Sequence, residues 1–221
     1  MKKSTYSLIL SDRVVEEIDK LAYSIKTSRS NLINEILANH VSYVTPEQRM
    51  RDILSMAQSF LVSDERYFFP EMQSASFLDV RAALKYKYKP TIRYCIELYN
   101  QSAGPFGELR VSLRTQSEQL LVDISHFFER WVELERKHIH EFYPDGVPFG
   151  FENNCYVRDF YVKNKEYQIA NDILGKAIAE YISALDNTLK AYLNTMQDKP
   201  AMLAITSEIY LNYLKNTDLI I

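Results

Sequence analysis

The stretch Thr5-Tyr6-Ser7-Leu8-Ile9-Leu10, followed at once by Ser11-Asp12, decides how the start of this 221-residue chain is read. Tyr6, Leu8 and Leu10 fall on one side of an extended segment and Thr5, Ser7 and Ile9 on the other, which is the period of a half-buried strand. Ser11-Asp12 then opens a helix, because short oxygen-bearing side chains cap the free amides of a first turn. Val15, Ile18, Ala22 and Ile25, with Val14 and Leu21 beside them, recur at helical spacing and predict a helix from Asp12 to Ile25. The break Lys26-Thr27-Ser28 ends in a second cap, Ser28, and Leu32, Ile33, Ile36, Leu37 and Val41 form a second apolar stripe. One strand and two short helices cannot close a core, so the strand needs a partner, and the same strand of a second copy supplies one most simply.

The succession of YSLIL, a helix opened by SD, and TSRSNLINEIL resembles the Arc/MetJ/CopG-like ribbon-helix-helix family over the first 45 residues. The resemblance implies a homodimer whose paired strands enter the major groove of double-stranded DNA while the start of the second helix holds phosphate. Carried over by position, Thr5, Ser7 and Ile9 face the bases, and Lys2, Lys3, Ser28, Arg29 and Ser30 contact the backbone. No Arg, Lys, Asn or Gln stands on the base-facing side to make a bidentate contact, so hydroxyls and the Ile9 side chain carry any direct readout.

Charge is unevenly spread. Residues 1–45 hold six Lys or Arg against five Asp or Glu, a net +1, and because the whole chain is −3 the remainder is −4. Five glycines and seven prolines leave little material for disordered linkers, and 47% hydrophobic content supports a packed core. The first residues lack the apolar run of a secretion signal and no stretch approaches a membrane span, which predicts a cytoplasmic protein without membrane contact. Cys95 and Cys155 stand 60 residues apart outside any CxxC arrangement and read as free thiols.

Beyond the first part, Pro46 begins a helix that Met50, Ile53, Leu54, Ala57, Phe60 and Leu61 carry to about Val62, read as a connector over residues 46–63. Val80, Ala82, Leu84, Tyr86 and Tyr88 alternate with Arg81, Ala83, Lys85, Lys87 and Lys89. A second alternating run follows Pro90 and a third runs from Leu109 to Arg114, which together predict an antiparallel sheet with one buried face. A long helix from Gln116 to about His140 is its natural cover. Tyr143–Phe151 reads as loop, Cys155–Val162 as a further strand, and residues 167–196 and 200–215 as two more helices. The fold class expected is α+β: an N-terminal ribbon-helix-helix module, residues 1–45, followed after the connector by an oligomerisation or sensing domain, residues 64–221, with a small antiparallel sheet covered by long helices.

On the polar side of that sheet Arg81, Lys85, Lys87, Lys89, Arg93, Arg110 and Arg114 face only Glu97 and Glu108, a local excess of positive charge that suits DNA, an anionic ligand or an acidic partner. His126, His138 and His140 would suggest the metal-sensing branch of the same family. His138 and His140, however, sit two apart on a helix and diverge, so no metal site and no cofactor is expected. Absence of a Ser-His-Asp order, a Gly-rich phosphate loop or an HExxH motif argues against an enzyme. The function expected is a sequence-specific DNA-binding regulator, a transcriptional repressor acting as a homodimer, with association into tetramers left open. The alternative is a plasmid or phage partition or relaxosome accessory protein whose larger domain recruits a protein partner. An antitoxin role ranks below both.

Overall fold

The structure is a computed structural model that describes residues 7–70, 74–86, 89–100, 103–143, 146, 149–152, 154–162 and 169–221. The chain separates into two compact units, residues 1–46 and 47–221.

The smaller unit is a pair of helices, α1 (Asp12–Ser24) and α2 (Arg29–His40). Ser7–Leu10, expected as strand, forms none: no strand among the described residues pairs with it, and the rest of the expected strand lies outside the described residues. Both helices end in the same way. At α1 the Thr27 amide donates to Ala22 O at 2.9 Å and Lys26 adopts φ 55°, while at α2 the Tyr43 amide donates to Ala38 O at 2.8 Å and Ser42 adopts φ 56°. Each is a Schellman turn that satisfies the last carbonyls with a non-glycine residue in the left-handed region. Ala22, Leu32 and Ala38 are buried and Val15 and Ile18 half-buried, but Val14, Leu21, Ile25, Ile36, Leu37 and Val41 remain 44–70% exposed.

In the larger unit, α3 (Pro46–Val62) is no free connector, since its Ile53, Leu54, Ala57 and Leu61 join the hydrophobic core. A six-stranded, fully antiparallel sheet follows, built from β1 (Tyr67–Phe68), β2 (Phe77–Ala83), β3 (Thr91–Leu98), β4 (Gly107–Arg114), β5 (Phe149–Glu152) and β6 (Cys155–Phe160), in the order β1-β2-β3-β4-β6-β5. Helix α4 (Glu118–His138) connects β4 to β5, and α5 (Asn171–Thr195) and α6 (Lys199–Asn216) complete the unit. The architecture is α+β with six helices and one six-stranded sheet among the described residues, a larger sheet than the sequence suggests.

Alternation places Leu78, Val80, Ala82, Ile92, Tyr94, Ile96, Leu109, Val111, Tyr156 and Phe160 on the covered face. Helix α5 is buried on nearly every side, which is why its pattern is apolar all round. It touches β3 through Asp186 and Tyr94, α4 through Tyr181 and Trp131, and α6 through Tyr181 and Tyr213. Its contact with α3 depends on Gly175, where an added Cβ would lie 2.5 Å from Met56 Cβ and 2.7 Å from Ile53 O. Gly175→Ala should therefore destabilise the unit by about 1–3 kcal/mol, the reverse of the helix-propensity gain of about 1 kcal/mol at an open site. Chemical denaturation of the two proteins checks the sign.

Candidate nucleic-acid interface

Residues assigned to DNA at the start of the chain divide into those the structure describes and those it does not. Thr5, Lys2 and Lys3 lie outside the described residues. Ile9 is fully exposed, whereas Leu8 and Leu10 are 59% and 39% exposed, so exposure alternates along this segment in the sense that the sequence pattern requires. Ser7 is exposed as well.

At the start of α2, Ser28 Oγ accepts from the Asn31 amide at 3.2 Å and Ser28 O accepts from the Leu32 amide at 3.0 Å. The amides of Arg29 and Ser30 are left as the outward-pointing donors of the first turn, the arrangement that attracts an oxyanion. Arg29 is differently placed from what sequence alone suggests. Its Nε donates to Asp19 Oδ1 at 2.5 Å and its Nη2 donates to Asp19 Oδ2, a two-pronged pair between α2 and α1. Arg29 holds the Asp19 carboxyl below its usual range, chiefly through the hydrogen bonds. A phosphate at this helix start would compete with Asp19 for the guanidinium.

The supposed basic sheet face is corrected by the register. Asp79 stands opposite Cys95 and Arg81 opposite Arg93, while Glu97, Glu108 and Asp159 form one cross-strand row. Arg81, Arg93, Arg110 and Arg114 therefore share the strand face with four carboxylates. Asp79 takes hydrogen bonds from both Arg81 Nη2 at 3.1 Å and Arg93 Nε at 2.9 Å, and Arg110 donates to Glu108. Burial acts to raise the Asp79 carboxyl, but the two arginines outweigh it and the net shift is downward. Strand β2 stops at Ala83, so Lys85 and Lys89 belong to the hairpin beyond the sheet; Lys87 lies outside the described residues. The hairpin closes with Leu84 N–H donating to Pro90 O at 2.9 Å. Lys85, Lys89 and Arg114 meet in one groove at that end and make no ion pair among the described residues.

The acidic row has an energetic signature. Burial, reinforced by Glu108, raises the Asp159 carboxyl above its ordinary value. A carboxyl raised on folding favours the folded state below its unfolded pKa, and that contribution is lost as pH rises through the folded value. Asp159→Asn is accordingly expected to stabilise the protein by up to about 1 kcal/mol at neutral pH, with the gain vanishing near pH 3. Parallel melting curves across that range measure it.

His126 and His140 are exposed, and His138 lies beside the Tyr210 ring with centroids 5.9 Å apart. Burial and the neighbouring Lys137 and Arg130 hold His138 below its usual pKa, so it is neutral at pH 7. No set of three His, Cys, Asp or Glu able to hold a metal occurs among the described residues. Cys95 and Cys155 are free thiols, and burial pushes Cys95 up to about 11, far from a reactive thiolate.

Two buried polar clusters escaped sequence reasoning. Asp186 accepts from Tyr94 Oη at 2.9 Å, Lys190 Nζ at 2.6 Å and Tyr67 Oη at 3.3 Å. Glu135 accepts from Arg158 Nε at 2.8 Å, Tyr181 Oη at 3.0 Å and Tyr156 Oη at 3.2 Å. Arg158 also donates to Ile221 O at 2.5 Å and lies over the Tyr181 ring. Each carboxylate oxygen here accepts from at least one side chain of another element, so both clusters serve as internal fasteners. Among the described residues no helix is long and apolar enough to cross a membrane. Comparison with known protein families, with curated proteins and with solved structures finds no match for this chain.

Proposed function

We propose that this chain is a homodimeric, sequence-specific DNA-binding protein, a transcriptional repressor of the cytoplasm, whose first 45 residues pair with those of a second copy as a ribbon-helix-helix module. The observation that carries the reading is the unfinished core of the smaller unit. Leu8, Leu10, Leu21, Ile36, Leu37 and Val41 are 39–70% exposed, while the buried hydrophobic residues of its helices are only Ala22, Leu32 and Ala38. So many exposed apolar side chains on so small a unit point to an interface, and an isologous pairing would cover them on both copies at once. Pairing would also supply the ladder that Ser7–Leu10 lacks and turn Ser7 and Ile9 toward the groove, with the Arg29 and Ser30 amides against phosphate. The larger unit then oligomerises or senses a signal.

The test is the affinity of the full chain for duplex DNA as a function of salt. A dimer neutralising several phosphates should lose about 10³-fold or more between 50 and 200 mM salt and should sediment as a dimer. A monomer without measurable duplex affinity at low salt would overturn the reading.

A further inference from the structure

The groove at the hairpin end of the sheet has a volume of about 1310 Å³ and is lined by Lys85, Tyr86, Lys89 and Pro90 on one side and by Arg114, Thr115, Gln116 and Ser117 on the other. None of these lining residues carries a carboxylate. The ion pairing of the neighbouring arginines makes this distinctive: Arg81 and Arg93 share Asp79 and Arg110 pairs with Glu108, but the three cations of the groove have no carboxylate partner among the described residues.

Three further lining residues, Thr115, Gln116 and Ser117, carry side-chain donors. Thr115 Oγ1 accepts from the Ser117 amide at 3.1 Å and Ser117 Oγ accepts from the Leu120 amide at 3.2 Å, which leaves both hydroxyl hydrogens free to point outward. Gln116 adds an exposed amide. Two ammonium groups, a guanidinium and two hydroxyl donors converging on one concavity call for a ligand that is anionic and rich in acceptor oxygens.

We propose that this groove binds phosphate groups of a polyanion, two or three at a time, with Lys85, Lys89 and Arg114 as the charged contacts. Such phosphates could be carried by a free polyphosphate or nucleotide, or by a nucleic-acid backbone, and the chemistry of recognition is the same. The proposal concerns the larger unit alone and does not depend on the N-terminal module.

The experiment is calorimetric titration of the full chain at low salt with inorganic triphosphate as the probe, on wild type, Lys85→Ala/Arg114→Ala and Arg110→Ala. The lysine–arginine double variant should bind at least about tenfold more weakly, since two charge-assisted contacts are lost, and Arg110→Ala should bind like wild type because its guanidinium is already paired. All replaced side chains are exposed, and unchanged melting temperatures will show the fold intact. No binding by wild type, or equal binding by all three proteins, would overturn the proposal. Competition by duplex DNA against bound triphosphate, measured in a Leu8→Asp chain so that the N-terminal module does not contribute, distinguishes the sources: displacement assigns the groove to nucleic-acid backbone, and no displacement assigns it to a free polyphosphate.

Discussion

Leu8→Asp is expected to turn the protein into a monomer at micromolar concentration and to weaken duplex DNA binding by 100-fold or more, while the melting of the larger unit stays unchanged. Leu8 is 59% exposed in the single chain, where a polar replacement would be worth no more than about 0.5 kcal/mol. In an antiparallel pair of ribbons the same position turns inward on both copies, and two unpaired carboxylates would be buried together, at a cost of about 3–5 kcal/mol or more. That is roughly 10²- to 10³-fold or more in the dimer dissociation constant. Ile9→Asp provides the contrast. Ile9 is fully exposed and faces away from Leu8, so its replacement should leave the dimer intact and weaken DNA binding alone. Sedimentation equilibrium and filter binding separate the two effects. Equal behaviour of the two variants would remove the ribbon from the account.

Arg158→Leu should destabilise the larger unit by about 3–5 kcal/mol, a large part of the 5–15 kcal/mol that ordinarily holds a domain together. Arg158 is 1% exposed and Glu135 4% exposed, so removing the guanidinium strands a carboxylate that cannot reach water. Burial works against the Arg158 charge, yet Glu135 together with Tyr181, Tyr156 and Tyr213 more than offsets it and the group stays ionised. The substitution also removes the donor to Ile221 O. Combining it with Glu135→Gln should recover much of the loss, because no charge is left buried and the amide keeps one oxygen to accept from one of the two tyrosines, while its NH2 donates to the hydroxyl oxygen of the other. Denaturant midpoints for the two single variants and the double variant complete the cycle. A loss below about 1 kcal/mol for Arg158→Leu would mean that the site rearranges to admit water.

Helices α3 to α6 were legible in sequence because their apolar residues recur at 3.6-residue spacing, as in Ile53, Leu54, Ala57 and Leu61. The three central strands were legible from alternation. Strand β1, of two residues, is too short to show a period, and β5 lies where glycine and proline suggest only loop. The overrun past Ala83 has a physical cause: Leu84 is buried and Tyr86 partly so, and the alternation continues through a hairpin that is no longer sheet. Pairing of Asp79 with Arg81 and Arg93 depends on register between β2 and β3, which a single sequence does not specify. For the same reason the Arg158–Glu135 pair could not be read from the sequence, since pattern reasoning sends charged residues outward and sees no partner from another element. At the N-terminus the Ser28 cap and the break length were readable locally, whereas Ser11 stands before α1 without a side-chain cap hydrogen bond and the Arg29–Asp19 pair needed the packing of α2 on α1.

The most direct measurement is selection of bound fragments from the source genome by the full-length protein at about physiological salt, where non-specific binding is weak, run beside the Ile9→Asp variant. The account predicts enrichment of a short inverted or tandem repeat near promoters that disappears with the variant. Recovery of no repeat by the wild-type protein, or the same repeat with both proteins, would contradict it.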